Sequence, residues 1–257
     1  MLPALRSNKN LMLRTSRLTK APWFEIWLFK TRLRFRNPKA TAKVPAGIYA
    51  EPKDMRPFVN TESKKGYWNA EGLPSSLHIY SNRWSFSSRR WFAKSKAVLD
   101  FHLEACAVME CDKTQYSDLY QSDIGREWVA QWYRNRKHFW SQFTFTKLPC
   151  GDLEVQIDDA APDPREDQEK VPAVGTPDNH FPVEILDLNG HVAYRIRPNA
   201  NQLDFLVPFT SEDVLVFTFM LTSTEPLEEN VRQAVLQKAS QFANGIMQTV
   251  SLEYPDT

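Results

Sequence analysis

The sequence predicts an α+β fold, an antiparallel β-sheet with helices packed on it. Three observations predict it. An Asn189-Gly190 pair separates two short alternating runs, a run apolar on both faces follows at Val214–Leu221, and two long segments carry apolar residues at helical spacing.

The hairpin is the firmest local signal. Val183–Leu188 and Val192–Arg197 flank Asn-Gly, which accepts the positive φ that a type I′ turn needs at both central positions. Val192, Tyr194 and Ile196 share one face of the second strand, with Arg195 and Arg197 on the other. Leu203–Phe209 and Val214–Leu221 complete a four-strand meander. Pro208 places the third strand at an edge or ends it, because proline offers no N–H to a ladder. Val214–Leu221 reads as a central strand. A helix follows, capped by Thr224 or Glu225 with Pro226 in its first turn. Leu227, Val231, Val235, Phe242, Ile246 and Val250 form its apolar stripe.

The first half holds further strands at Leu77–Phe86 and Lys96–Met109, and a strictly alternating run at Lys30–Arg36. Asp123 caps a helix running to Phe143, with Ile124, Trp128, Trp132, Phe139 and Phe143 inward. Phe143–Thr146 and Leu153–Ile157 pair as a hairpin. Between the halves, residues 158–179 are rich in Pro and acid and poor in large apolar groups, so they read as an exposed loop or a linker. The expected organisation is a basic, aromatic α+β lobe at 1–157, that segment, and a ββββα lobe at 180–257. One composite domain is the alternative.

The 257 residues carry a net charge of +1, so no global field draws the chain to nucleic acid or to acidic membranes. The charge is unevenly placed. Residues 1–40 hold ten Lys and Arg against one acid, Glu25, and residues 151–180 hold nine acids. The first 24 residues lack acids and carry spaced bases, a pattern with a faint resemblance to a mitochondrial transit peptide. Three cysteines give no disulfide framework, which points to a reducing, cytoplasmic setting. The apolar stretch at Ala21–Phe29 is too short to insert in a membrane.

Catalytic signals are weak. His102-Leu-Glu104 with Cys106 and Cys111 has the residue types of a zinc deaminase but lacks its Pro-Cys-x-x-Cys, so no metal is expected. Cys150 on a turn, with His138 or His180 as base, is the remaining thiol arrangement, and the enzyme alternative rests on it and on His102. No nucleophile elbow or phosphate loop occurs and only eight glycines are present, so no cofactor is expected.

Binding surfaces remain. The leading expectation is a non-catalytic module that captures another protein. Its acids Asp158, Asp159, Asp163, Glu166 and Asp167 would enter a basic site, with Trp84 and Trp91 as anchors. The alternative is a nucleic-acid surface built on Lys30, Arg32, Arg34 and Arg36 and interleaved with Trp23, Phe24, Trp27 and Phe35.

The C-terminal third carries a resemblance. Its residues are Asn189-Gly-His-Val-Ala-Tyr-Arg-Ile-Arg197, Phe205-Leu-Val-Pro-Phe209, Val214–Leu221 and the helix from Pro226. This stretch resembles effector-neutralising immunity proteins of the bacterial type VI secretion neighbourhood. The resemblance includes no diagnostic motif and transfers no functional residue. It implies a cytoplasmic toxin inhibitor acting by surface complementarity, with a cognate effector as partner.

Overall fold

Strands β8 (Val183–Leu188) and β9 (His191–Asn199) meet at the Asn-Gly turn, where Asn189 has φ 56 and Gly190 φ 85. Both are left-handed, as a type I′ turn requires. Gly190 N–H donates to Asp187 Oδ1 at 2.7 Å, and Asn189 Nδ2 donates to Val250 O at 2.7 Å, tying the turn to the C-terminal segment. The meander continues through β10 (Gln202–Pro208) and β11 (Asp213–Ser223). In this computed structural model the described residues are 12–13, 17–28, 31–42, 76–87, 96–107, 115–141, 143–147, 153–157, 182–223 and 226–254.

The meander supplies four strands of a larger sheet. β1 (Met12–Leu13), β4 (Ser76–Ser87) and β5 (Ala97–Ala107) complete a seven-stranded antiparallel sheet of order β1-β4-β5-β11-β10-β9-β8. β11 pairs with β5 from Asp213↔Ala107 to Ser223↔Ala97, so strands from both sides of residues 158–179 share one sheet. β11 is the middle strand, which explains its apolar character on both faces. β10 ends at Pro208.

One face of this sheet carries the main core. Leu99, Phe101 and Leu103 of β5, Leu215, Phe217 and Phe219 of β11, and Trp84 and Phe86 of β4 are all buried there. Helix α2 (Glu229–Met247) lays Val231, Val235, Phe242 and Ile246 on that face. Each such side chain contributes roughly 1.5–3 kcal/mol of apolar burial. The helix starts later than the sequence suggests. Glu228 is its N-cap residue with ψ 141 and makes no side-chain cap bond, and Pro226 precedes the first turn instead of entering it. Thr224 and Glu225 lie outside the described residues.

A three-stranded sheet covers the rest of that face. Its order is β12-β3-β2, from β2 (Trp23–Leu28), β3 (Thr31–Arg36) and β12 (Ser251–Glu253). Phe35 sits 5.8 Å, centroid to centroid, from both Phe101 and Phe217, and Phe24 sits 4.6 Å from Tyr80.

The opposite face receives α1 (Ser122–Ser141). Trp128, Val129, Trp132 and Tyr133 pack there against Tyr194, Ile196, Leu206 and Val216. Ile124 is half-buried and Asp123 lies inside the first turn. Gly125 permits the seat, because a Cβ there would overlap the Tyr194 hydroxyl and ring. That hydroxyl donates to Leu119 O at 2.8 Å, and burial first, then Asp118 and Asp123, push its pKa up to about 12. Strands β6 (Phe143–Lys147) and β7 (Leu153–Ile157) pair as a separate hairpin. Among the described residues no helix is long and apolar enough to cross a membrane.

Candidate functional site

The outward face of the small sheet gathers the most distinctive exposed chemistry. Alternation places Leu33 and Phe35 of β3 inward and Arg32, Arg34 and Arg36 outward. The same rule turns Ile26 and Leu28 of β2 inward and Trp23, Glu25 and Trp27 outward. Pairing opposes Trp23 to Arg36, Glu25 to Arg34 and Trp27 to Arg32, and brings Glu253 of β12 opposite Arg32 from the other side. The result is a lattice of rings, guanidiniums and carboxylates with one of each charge type beside the next.

Its contacts are specific. Arg32 donates to Glu25 Oε2 at 2.7 Å through Nη2 and to Glu253 Oε2 at 2.9 Å through Nη1. Arg34 lies 3.3 Å from Glu25 Oε2 and donates to Glu253 Oε1 at 3.4 Å. The hydrogen bond from Arg32 holds the Glu25 carboxyl below its usual range against a smaller opposing effect of desolvation, and the same bond raises Arg32. Trp23 lies under two cations, Arg36 at 4.0 Å and Arg34 at 4.9 Å from its centroid, and Arg32 sits 5.9 Å from that of Trp27. Both indoles stay open to solvent, Trp23 at 43% and Trp27 at 42% of their surface.

At the Trp23 end the chain adds more cations. A 3-10 turn at Leu18–Lys20 precedes β2, and Asn37 N–H donates to Pro22 O at 2.9 Å, which carries the β2–β3 contact one residue past Trp23 and Arg36. Arg17, Lys20 and Lys39, within four residues of these points in sequence, are exposed, and Arg36 Nη1 donates to Ala21 O at 2.8 Å.

The residues singled out by sequence fare differently. Trp84 is corrected: it is fully buried, its indole N–H donating to Pro38 O at 3.1 Å and its ring 4.9 Å from Phe242. A ring with no exposed surface cannot anchor a partner, and alternation after the bulge between His78 and Tyr80 is what turns it inward. Asp158, Asp159, Asp163, Glu166, Asp167, Trp91 and Lys30 lie outside the described residues, as do Cys111, Cys150, His180 and the side chain of His138. Arg32, Arg34 and Arg36 do share one face, but two of the three are held by carboxylates.

His102 faces away from the main core, with Nδ1 2.9 Å from Ser81 Oγ. Cys106 is buried near α1, and among the described residues no three His, Cys, Asp or Glu side chains gather as metal ligands. A second aromatic group joins the exposed Tyr120 and Tyr254 to the half-buried His191. The two phenols lie 3.3 Å apart, and burial followed by that contact raises Tyr120.

Sequence reading named the arginines and indoles but missed Glu25 and Glu253 as their partners. Glu25 was visible as the lone acid of residues 1–40. Glu253 stands 221 positions from Arg32, and no local pattern announces that pairing. Comparison with known proteins finds no significant match: no family model, no curated protein and no solved structure.

Proposed function

We propose that this chain is a non-catalytic binding module that recognises another protein through the outward face of the small sheet. The observation that carries the reading is the pair of exposed indoles, Trp23 and Trp27, set among arginines on a sheet. Trp and Arg dominate the energetics of protein interfaces. Ion pairs and ring stacking restrict these side chains before any partner arrives, so less rotamer entropy is lost on binding. In its sharper form the partner is a secreted bacterial toxin and the chain its cytoplasmic immunity protein, a reading that rests on the resemblance of the C-terminal third.

The test compares two baits in extract of the native host, the full chain and its Trp23→Ala/Trp27→Ala variant, with quantitative mass spectrometry of what each retains. The expected result is a protein held by the first and lost by the second while the unfolding midpoint stays nearly unchanged. If both baits retain the same set, the face has no part in binding. Toxin neutralisation is checked by co-expressing the chain with a captured effector and measuring growth.

A second reading has its own observation. Three arginines in one row beside two indoles combine the residue types that stack bases and neutralise phosphates in single-strand binders. Glu25 and Glu253 weigh against it, since both stand in the path of a phosphate backbone. Affinity for single-stranded oligonucleotides that falls steeply with salt would favour it.

A further inference from the structure

We infer that the Trp23 end of this face receives an acidic, extended segment of the partner protein, an inference that rests on the binding-module reading and gives that partner its chemistry. The face is polarised along its length. Toward Trp27, Arg32 and Arg34 are each bridged to Glu25 and Glu253. At the other end Arg36 lies on Trp23, and Arg36 with Arg17, Lys20 and Lys39, which flank Trp23 and Arg36 in sequence, makes no ion pair with a carboxylate among the described residues. The chain on either side of these cations meets at two points, the backbone bond from Asn37 N–H to Pro22 O and the side-chain bond from Arg36 Nη1 to Ala21 O. Arg36 is further fixed on the Trp23 ring at 4.0 Å, so its guanidinium is placed before a ligand arrives.

The charge pattern selects the ligand class. A nucleic-acid strand carries a phosphate at every step and would meet the exposed Glu25 and Glu253 carboxylates as it ran along the face. A peptide places its acids where the cations are and apolar side chains where the indole is. An extended strand repeats every two residues at roughly 6.5–7 Å, which lets alternate acids face one surface. Guanidinium and ammonium donors bind such carboxylates through charge-assisted hydrogen bonds.

Fluorescence anisotropy of the full chain with a labelled decapeptide alternating Glu and Leu tests this. A Gln-for-Glu version, a deoxythymidine decamer and sedimentation of the chain alone serve as further arms. The Glu peptide should bind, and the Gln version should bind about tenfold more weakly or worse. Lys20→Gln/Arg36→Gln should lose about tenfold in affinity, while Arg126→Gln on α1, an exposed cation of another face, should lose nothing. Equal binding of the two peptides, no binding of the Glu peptide, or unchanged affinity in the double variant overturns the inference. Tighter, salt-sensitive binding of the oligonucleotide overturns it in favour of nucleic acid. Self-association that the double variant abolishes overturns it in favour of a second copy of this chain. If Trp23→Ala/Trp27→Ala loses a captured partner that Lys20→Gln/Arg36→Gln retains, the binding module stands and the acidic ligand falls.

Discussion

The large sheet and the small sheet each set arginine against carboxylate across neighbouring strands. On the large sheet Arg83 stands opposite Asp100 in register and donates to it through Nε, and Thr222 Oγ1 lies 3.4 Å from the other carboxylate oxygen. Asp100 is 4% exposed. On the small sheet the partners of Arg32 and Arg34 are Glu25 and Glu253, whose side chains are 38% and 47% exposed. The chemistry is the same and the depth differs. A buried pair cannot lose one member without stranding the other, whereas an exposed pair exchanges readily with water, salt or a partner's charges. The tryptophans repeat the contrast, with Trp84 fully inside and Trp23 nearly half outside. Depth therefore sorts chemically similar groups into those that hold the fold and those available for binding.

The largest expected effect breaks or confirms that sorting at the indoles. Trp84→Ala should cost about 4 kcal/mol, from lost burial and a cavity beside Phe242, while Pro38 O keeps its bond from Asn82 Nδ2. Trp23→Ala should cost about 1 kcal/mol or less. Urea unfolding of the two variants measures both, and equal losses would erase the distinction. Asp100→Ala comes next, at about 3 kcal/mol, the low end for breaking a buried pair because the Arg83 side chain keeps 23% exposure.

A smaller effect sharpens the contrast on the other face of the large sheet. Gly125→Ala forces a methyl onto the Tyr194 hydroxyl and should cost about 2 kcal/mol through overpacking. Tyr194→Phe removes the nearest atom, so the double variant should fall short of the sum of the singles. A double-mutant cycle reads that coupling. Additive losses would mean that α1 adjusts and that the glycine is not what seats it.

Much of this architecture was legible because its signals are local. The Asn189-Gly190 turn, the two-faced apolar run at Val214–Leu221 and the alternation of Leu33 and Phe35 with Arg32, Arg34 and Arg36 each declare themselves within a few residues. The buried stripe of α2 does so as well. What sequence could not show is set by distant pairing. β12 is three residues long and exists because Leu252 packs beneath β3 and Glu253 meets Arg32 above it. Trp84 lies near Arg83 and Arg89 in sequence, so its neighbourhood looks like surface, yet a bulge in β4 sets the face that each residue takes. The arginines were read as free cations for the same reason, their acids being supplied from β2 and from the far end of the chain.

The smallest effect tests the exposed lattice itself. The folded pKa of Glu25 lies below its ordinary 4.5, chiefly because Arg32 donates to it. Its contribution to stability is therefore complete above that ordinary value and is lost as the pH falls through the lowered folded value. Glu25→Gln should consequently differ from the unaltered chain near neutral pH, by a shift small enough to need paired measurements, and the difference should vanish toward strong acid. Salt should shrink it too, since ions screen exposed charges over about 3 Å at 1 M. Unfolding midpoints followed from about pH 7 to about pH 2, in low and high salt, supply the comparison. A difference that survives high salt at neutral pH would make the outer pairs structural like Arg83–Asp100. The face would then be held together at the expense of being open to a partner, and depth alone would no longer separate the two kinds of pair.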